Sequence, residues 1–181
     1  MLYGQDLLLW GINTYFMRYD PIDSGLFTTN RNRLIKQLKP HALALFNAND
    51  IMPTNADGTM RFRQNNDLFY LSGVDQEETI LVMCPDFPEK KYREILFLRD
   101  SNPMIEKWEG HKLTKDEARK ISGIQTIVWL SEFPKLFHHI MTMGGVQTVY
   151  LNTNEHYRAT ISVQTRDARF IEWCKQVYPL H

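Results

Sequence analysis

The chain lacks an excess of charge of either sign. Its 21 lysines and arginines balance 21 aspartates and glutamates, so no overall field draws it to a phosphate backbone or an anionic lipid surface, and neither nucleic acid nor membrane is an expected partner. Cysteine is almost absent: Cys84 and Cys174 are far apart, each in an apolar run. That usage excludes a disulfide scaffold and reads as two reduced core thiols in a cytoplasmic protein. No run approaches the roughly 20 apolar residues of a membrane span. Glycine-rich phosphate loops are missing, and no serine or cysteine sits in a nucleophile elbow. The six histidines, His41, His111, His138, His139, His156 and His181, never form the helical pair with glutamate of a zinc peptidase. His138 and His139 are adjacent and would leave a helix on different sides, so no metal ligands are assigned. The carboxylates are scattered, and the residues alone present no catalytic constellation.

What is present suits one globular domain. A length of 181 residues allows a sizeable core, and a hydrophobic share of 43% with 23% charged residues excludes global disorder. Residues 1–16 contain an apolar patch, Leu7-Leu8-Leu9-Trp10, but no basic segment before it, and Asp6 intrudes. They make a poor signal peptide and read as a leader or upstream extension, with Met17 as a candidate initiator.

The chain is organised around residues 61–73, Arg61-Phe62-Arg63-Gln64-Asn65-Asn66-Asp67-Leu68-Phe69-Tyr70-Leu71-Ser72-Gly73. Phe69 and Leu71 alternate with Tyr70 and Ser72, which reads as a short strand ended by Gly73. Asp67 can accept hydrogen bonds from free N–H groups of the turn before it, and Arg63 and Gln64 are expected to tie that turn down. A plain polar turn feeding an ordinary strand accounts for the same residues.

Before this stretch, residues 20–25 read as an irregular lead-in. Thr28 or Thr29 then caps a helix with Leu34, Ile35 and Leu38 on its apolar face. Arg31, Arg33, Lys36 and Lys39 lie largely on the other side and read as a solvated face. Continuous apolar strands are expected over residues 41–46 and 79–83. Others are expected over 94–98, 124–129 and 147–151, with the second and third strands in antiparallel pairing. Thr114 and Glu117 have the spacing of a capping box for a helix closed at Ser122-Gly123. Further helices are expected from Ser131 or Glu132 to about Gly144 and over 166–177. Alternation of these elements predicts a mixed α/β sheet flanked by helices.

Taken in order, residues 62–73, then 78–83, 96–100 and Glu106-Lys107-Trp108-Glu109-Gly110, resemble the amino-terminal domain of aminopeptidase P, the Xaa-Pro aminopeptidase of the creatinase or pita-bread family. The resemblance covers most of residues 18–181. Leu68 stands where the family has phenylalanine. Lys112 stands where it has arginine, which loses a planar two-toothed fork. The resemblance implies a mixed sheet of about six strands related in shape to ribonuclease H over residues 17–181. It also implies a metallopeptidase domain following residue 181, holding a manganese pair, with no metal and no catalytic residue in this chain. Partners implied are that domain, neighbouring subunits and proline-containing peptides. It further implies structural roles for Arg63, Gln64, Asp67, Tyr70, Gly73, Glu106 and Gly110. Trp108 would either reach a neighbouring subunit's substrate pocket or anchor an interface. The alternative function is a stand-alone protein-interaction module derived from such a domain.

Overall fold

A computed structural model describes residues 21–143, 145–153 and 165–179. The leader reading of residues 1–16 lies outside them. Five strands form one sheet in the order β4-β3-β2-β1-β5. They are β1 (Ala42–Asn47), β2 (Ile80–Met83), β3 (Glu94–Leu98), β4 (Thr126–Trp129) and β5 (Thr148–Leu151). β2 runs antiparallel to both β1 and β3, while β5 is parallel to β1 and β4 parallel to β3. The expected mixed sheet is therefore present, with five of about six strands among the described residues. Four strands point the same way, and their carboxyl ends share one edge.

The central strands read as continuous apolar runs because both faces are covered. On one face Leu43, Leu45, Val82, Ile95 and Phe97 meet Phe133, Phe137, Ile140 and Met141 of α5 (Phe133–Met143) and Cys174 of α6 (Arg166–Val177). The other face shows the alternate residues, Ala44, Leu81, Met83, Leu96 and Leu98. They meet Leu68 and Leu71 of α2 (Asn66–Ser72) and Ala118 of α4 (Lys115–Ser122), with Leu34 and Ile35 of α1 (Ser24–Ile35) packed against them. The capping box of Thr114 and Glu117 is formed as expected, and α6 has the expected bounds. Cys84 and Cys174 are buried free thiols.

Three expectations are overturned. The organising stretch is not a strand: α2 occupies residues 66–72, and Leu68, Leu71 and Ser72 are its buried residues, a three- and four-residue spacing. Asn65, not Asp67, supplies the cap, its Oδ1 accepting from the N–H groups of Asp67 at 2.9 Å and Leu68 at 3.3 Å. Gly73 ends this helix in the left-handed region at φ +69°, where an added Cβ would lie 2.2 Å from the Phe27 ring. Second, α1 begins five residues early, because Asp23 accepts from the Gly25 N–H at 2.8 Å; residues 24 and 25 are helix, not lead-in.

Third, Arg31 is not on a solvated face. It is 1% exposed, and its Nη1 donates to the Leu71 carbonyl at 2.8 Å and the Ser122 carbonyl at 2.9 Å. Its Nε donates to Glu94 Oε2 at 3.1 Å. One guanidinium thus satisfies terminal carbonyls of both α2 and α4, which have no partner within their own helices. The two helices end alike: Ser72 and Ser122 each return a hydroxyl to the carbonyl four residues back and accept the N–H two residues on.

Candidate functional site

The carboxyl edge of the sheet carries a band of polar side chains, because each strand leaves its apolar run there. At the end of β1, Asn47 donates to Asp167 Oδ1 at 2.9 Å, joining the strand to the first turn of α6. Burial pushes the Asp167 carboxyl above its ordinary value, against the hydrogen bond from Asn47. Arg169 of α6 reaches Asp50 at 2.8 Å.

The predicted residues of the organising stretch surround the entry to α2. Gln64 donates from Nε2 to the carbonyls of Val74 at 3.1 Å and Gln76 at 2.8 Å, and accepts from the Asn65 N–H at 2.8 Å. It closes the loop on both sides of the helix. Asp67 accepts from Asn152 Nδ2 at 2.7 Å, linking the start of α2 to the end of β5. Arg63 is exposed, and what it contributes is its carbonyl, which accepts from Asn49 Nδ2 at 3.0 Å. Tyr70 is exposed too, its carbonyl held by Asn30 at 2.9 Å.

The second group lies on α3 (Pro103–Glu109), a helix that follows β3 and to which no element was assigned from the sequence. Asn102 caps it, accepting from the N–H groups of Met104 at 2.9 Å and Ile105 at 3.0 Å, with proline at its start. None of its residues is buried. Trp108 is 79% exposed and Met104, one turn earlier on the same side, 72%. Glu106 accepts from Ser101 Oγ at 3.1 Å, a local bond. Gly110 closes the helix at φ +84°, and an added Cβ there would meet nothing within 4 Å.

Charge, rather than apolar packing, ties α3 to the sheet. Arg99, just past β3, grips Glu109 with two bonds, Nη1 to Oε2 at 2.5 Å and Nη2 to Oε1 at 2.9 Å. The same Nη1 donates to Glu77 Oε1 at 3.0 Å. Lys112, 7% exposed, also donates to Glu77 and lies 3.4 Å from Glu109. Glu78 Oε2 lies 3.6 Å from Arg99 Nε, so three carboxylates surround two cations in one cluster. Burial pushes the Glu77 carboxyl up, but the hydrogen bonds from Lys112, its own backbone N–H and Arg99 outweigh it and hold the group below its ordinary value. The bond from Arg99 likewise holds Glu109 low. Next to Glu77, Gln76 accepts the Leu113 N–H at 2.7 Å, so residues 76 and 77 fix residues 113 and 112 of the segment leaving α3. Glu78 completes the turn into β2 with φ +54°, an unusual value for a residue with a side chain.

Gln64 and Gln76 connect the two groups, one holding the other's carbonyl. Sequence reasoning missed Gln76, Glu77 and the ion-pairing role of Arg99 and Lys112. Arg99 was in view within residues 96–100, and Lys112 as a departure from the family, but their shared acceptor is 22 and 35 residues away. Among the described residues no group of three or more histidine, cysteine, aspartate or glutamate side chains is placed to hold a metal ion. These residues do not fit a manganese site. No helix among them is long and apolar enough to cross a membrane.

Residues 27–150 match the family model described as aminopeptidase P, N-terminal domain. Xaa-Pro aminopeptidase of Escherichia coli is 27% identical over 139 residues, which cover 77% of this chain and 31% of that protein. Human Xaa-Pro aminopeptidase 3 is 32% identical over 77 residues, 41% of this chain and 15% of that protein. A solved Bacillus anthracis structure assigned to aminopeptidase P superposes with a TM-score of 0.75 at 25% identity, over 88% of this chain and 37% of that one. Escherichia coli aminopeptidase P with the inhibitor Pro-Leu gives a TM-score of 0.64 at 27% identity, over 76% of this chain and 31% of that one. The chain thus spans about a third of the length of the Escherichia coli and Haemophilus influenzae Xaa-Pro aminopeptidases that it matches. A sheet of this topology, the ordered motifs along it and a match over residues 27–150 lead to one conclusion: the chain belongs to the aminopeptidase P amino-terminal domain family.

Proposed function

We propose that this chain is the non-catalytic amino-terminal domain of a manganese-dependent Xaa-Pro aminopeptidase, and that it shapes access of proline-containing peptides and the assembly of subunits. In this reading the metal pair and the residues that activate water belong to a companion domain, and this domain supplies a wall of that site. The two buried thiols support a reducing, cytoplasmic setting.

The observation that carries the proposal is Trp108, a large aromatic ring 79% exposed on a helix that buries nothing of its own. Exposing such a ring costs hydrophobic stabilisation within the domain, and the ring is useful once a second surface covers it. A flat aromatic face suits a proline ring or the residue beside it. The Escherichia coli relative was solved with the inhibitor Pro-Leu, a dipeptide that carries such a ring.

The test is Trp108→Ala in the natural full-length protein, assayed on an Xaa-Pro peptide with manganese and by sedimentation. A central aromatic contact is worth at least about 2 kcal/mol, so KM should rise about thirtyfold or more while kcat holds. Unchanged kinetics in a protein that has lost its oligomer would favour the anchor reading of Trp108. No change in either measurement would defeat the proposal.

A further inference from the structure

The geometry points to Lys112 and Arg99 as positioning residues for Trp108, acting through Glu77 and Glu109 to hold α3 at the angle from which the ring meets its target. The inference rests on the access role proposed for Trp108 and goes beyond it by naming what aims the ring.

The argument starts from what α3 lacks. A short helix is normally fixed by an apolar stripe, whereas α3 buries no residue, and a free seven-residue helix is unstable in water. Its cap and the Ser101–Glu106 bond are local, and they set its start but not its direction. Direction comes from the other end. Glu109, immediately after Trp108, is held by both Nη atoms of Arg99, a two-point contact that fixes rotation as well as position. Gly110 then turns the chain through a backbone conformation open to glycine, which brings Lys112 back under the helix and onto Glu77. Glu77 is the common acceptor: it fixes Arg99 and Lys112, and through them Glu109.

The chemistry of the cluster fits this role. A carboxylate at a helix C-terminus opposes the helix dipole, so Glu109 has no local reason to be there and is stabilised by the two cations. Arg99 and Lys112 are 19% and 8% exposed at their side chains, so their attraction is less screened than that of a surface pair. Lysine in place of the family's arginine leaves a single-point contact to Glu77, and the two-toothed grip falls to Arg99 alone.

A double-mutant cycle in the full-length protein tests this, with an Xaa-Pro peptide and manganese. Lys112→Met and Glu109→Gln should each raise KM about threefold or more with kcat nearly unchanged, and Lys112→Arg should restore it. Partial unfolding would instead lower kcat through the active fraction and leave KM alone. Glu109→Gln, at the exposed end of the cluster, keeps the test open if Lys112→Met fails to fold. In a Trp108→Ala background the same two changes should alter KM less than about twofold, because the ring they aim is gone. If Trp108→Ala raises KM but Lys112→Met and Glu109→Gln do not, or if their effects multiply with it in full, the positioning role is overturned and the access role stands. If Trp108→Ala leaves KM unchanged, both fall.

Discussion

Replacing Arg31 with methionine should unfold the domain far more readily than any other change to a basic residue of α1. The side chain is 1% exposed and has four polar contacts: Leu71 and Ser122 carbonyls, Glu94, and Thr28 Oγ1 at 3.4 Å. Methionine fills the channel of the arginine stem but offers no donor. The two carbonyls lie among the last turns of α2 and α4, with no partner further along their own helices. A buried carbonyl left without its donor costs about 1–3 kcal/mol, so the two orphaned carbonyls together cost about 2–6 kcal/mol, while the Glu94 side chain, 27% exposed, turns to water. With a urea dependence of about 2 kcal/mol per molar, the unfolding midpoint should fall by about 2 M at unchanged slope. Arg33→Met, two residues on and exposed, is the control and should stay within about 0.5 kcal/mol. Circular dichroism against urea reads both. A shift for Arg31→Met no larger than the control's would refute the idea that this cation joins the two helices.

Glycine substitutions should separate strain from crowding: Gly110→Ala meets open space and costs only its strained backbone, since φ +84° with ψ −179° is a region kept almost wholly for glycine, about 1–3 kcal/mol, while Gly73→Ala adds to a left-handed backbone the drive of its Cβ into the Phe27 ring and costs about 2–5 kcal/mol. Equal melting temperatures for the two variants would contradict that ranking. Burial pushes both thiols up to about 11, so Ellman's reagent at neutral pH should find neither Cys84 nor Cys174 in the native chain and both after denaturation; rapid native labelling would count against the packing described. For Glu77 the folded value is depressed, so its stabilisation is complete above the unfolded value and is lost as pH falls through the folded one. Below about pH 4, Glu77→Gln should therefore flatten the decline of the urea midpoint with acidity; curves that stay parallel for variant and parent would rule the cluster out as a source of acid sensitivity.

The strands were legible because a strand covered on both faces leaves an unbroken apolar run, as in Ile80–Met83 and Glu94–Leu98. The capping box at Thr114 was legible for a similar reason: its chemistry lies within four residues. Residues 66–72 were misread since seven residues hold too few turns to separate periods, and Phe69 with Leu71 mimicked alternation. The informative residues were the flanking ones, Asn65 as acceptor and Gly73 as left-handed terminator. Nothing local marked Arg31, whose partners lie 40, 63 and 91 residues on. The Glu77 cluster was hidden in the same way, since its members are ordinary charged residues until the fold gathers them. The identity of Trp108 as an unusual residue came from the family resemblance, and its exposure from the structure.

The two buried-cation arrangements respond differently to ionic strength. Arg31 is sealed between helices, where dissolved ions do not reach, so the joint of α2 and α4 holds across brine and buffer alike. The Arg99–Glu109 grip sits at the rim, with Glu109 39% exposed, and counterions can compete for it. Concentrated salt should then loosen the tryptophan-bearing helix long before it disturbs the body beneath, leaving a domain whose foundation is indifferent to its medium and whose outermost aromatic ring is not.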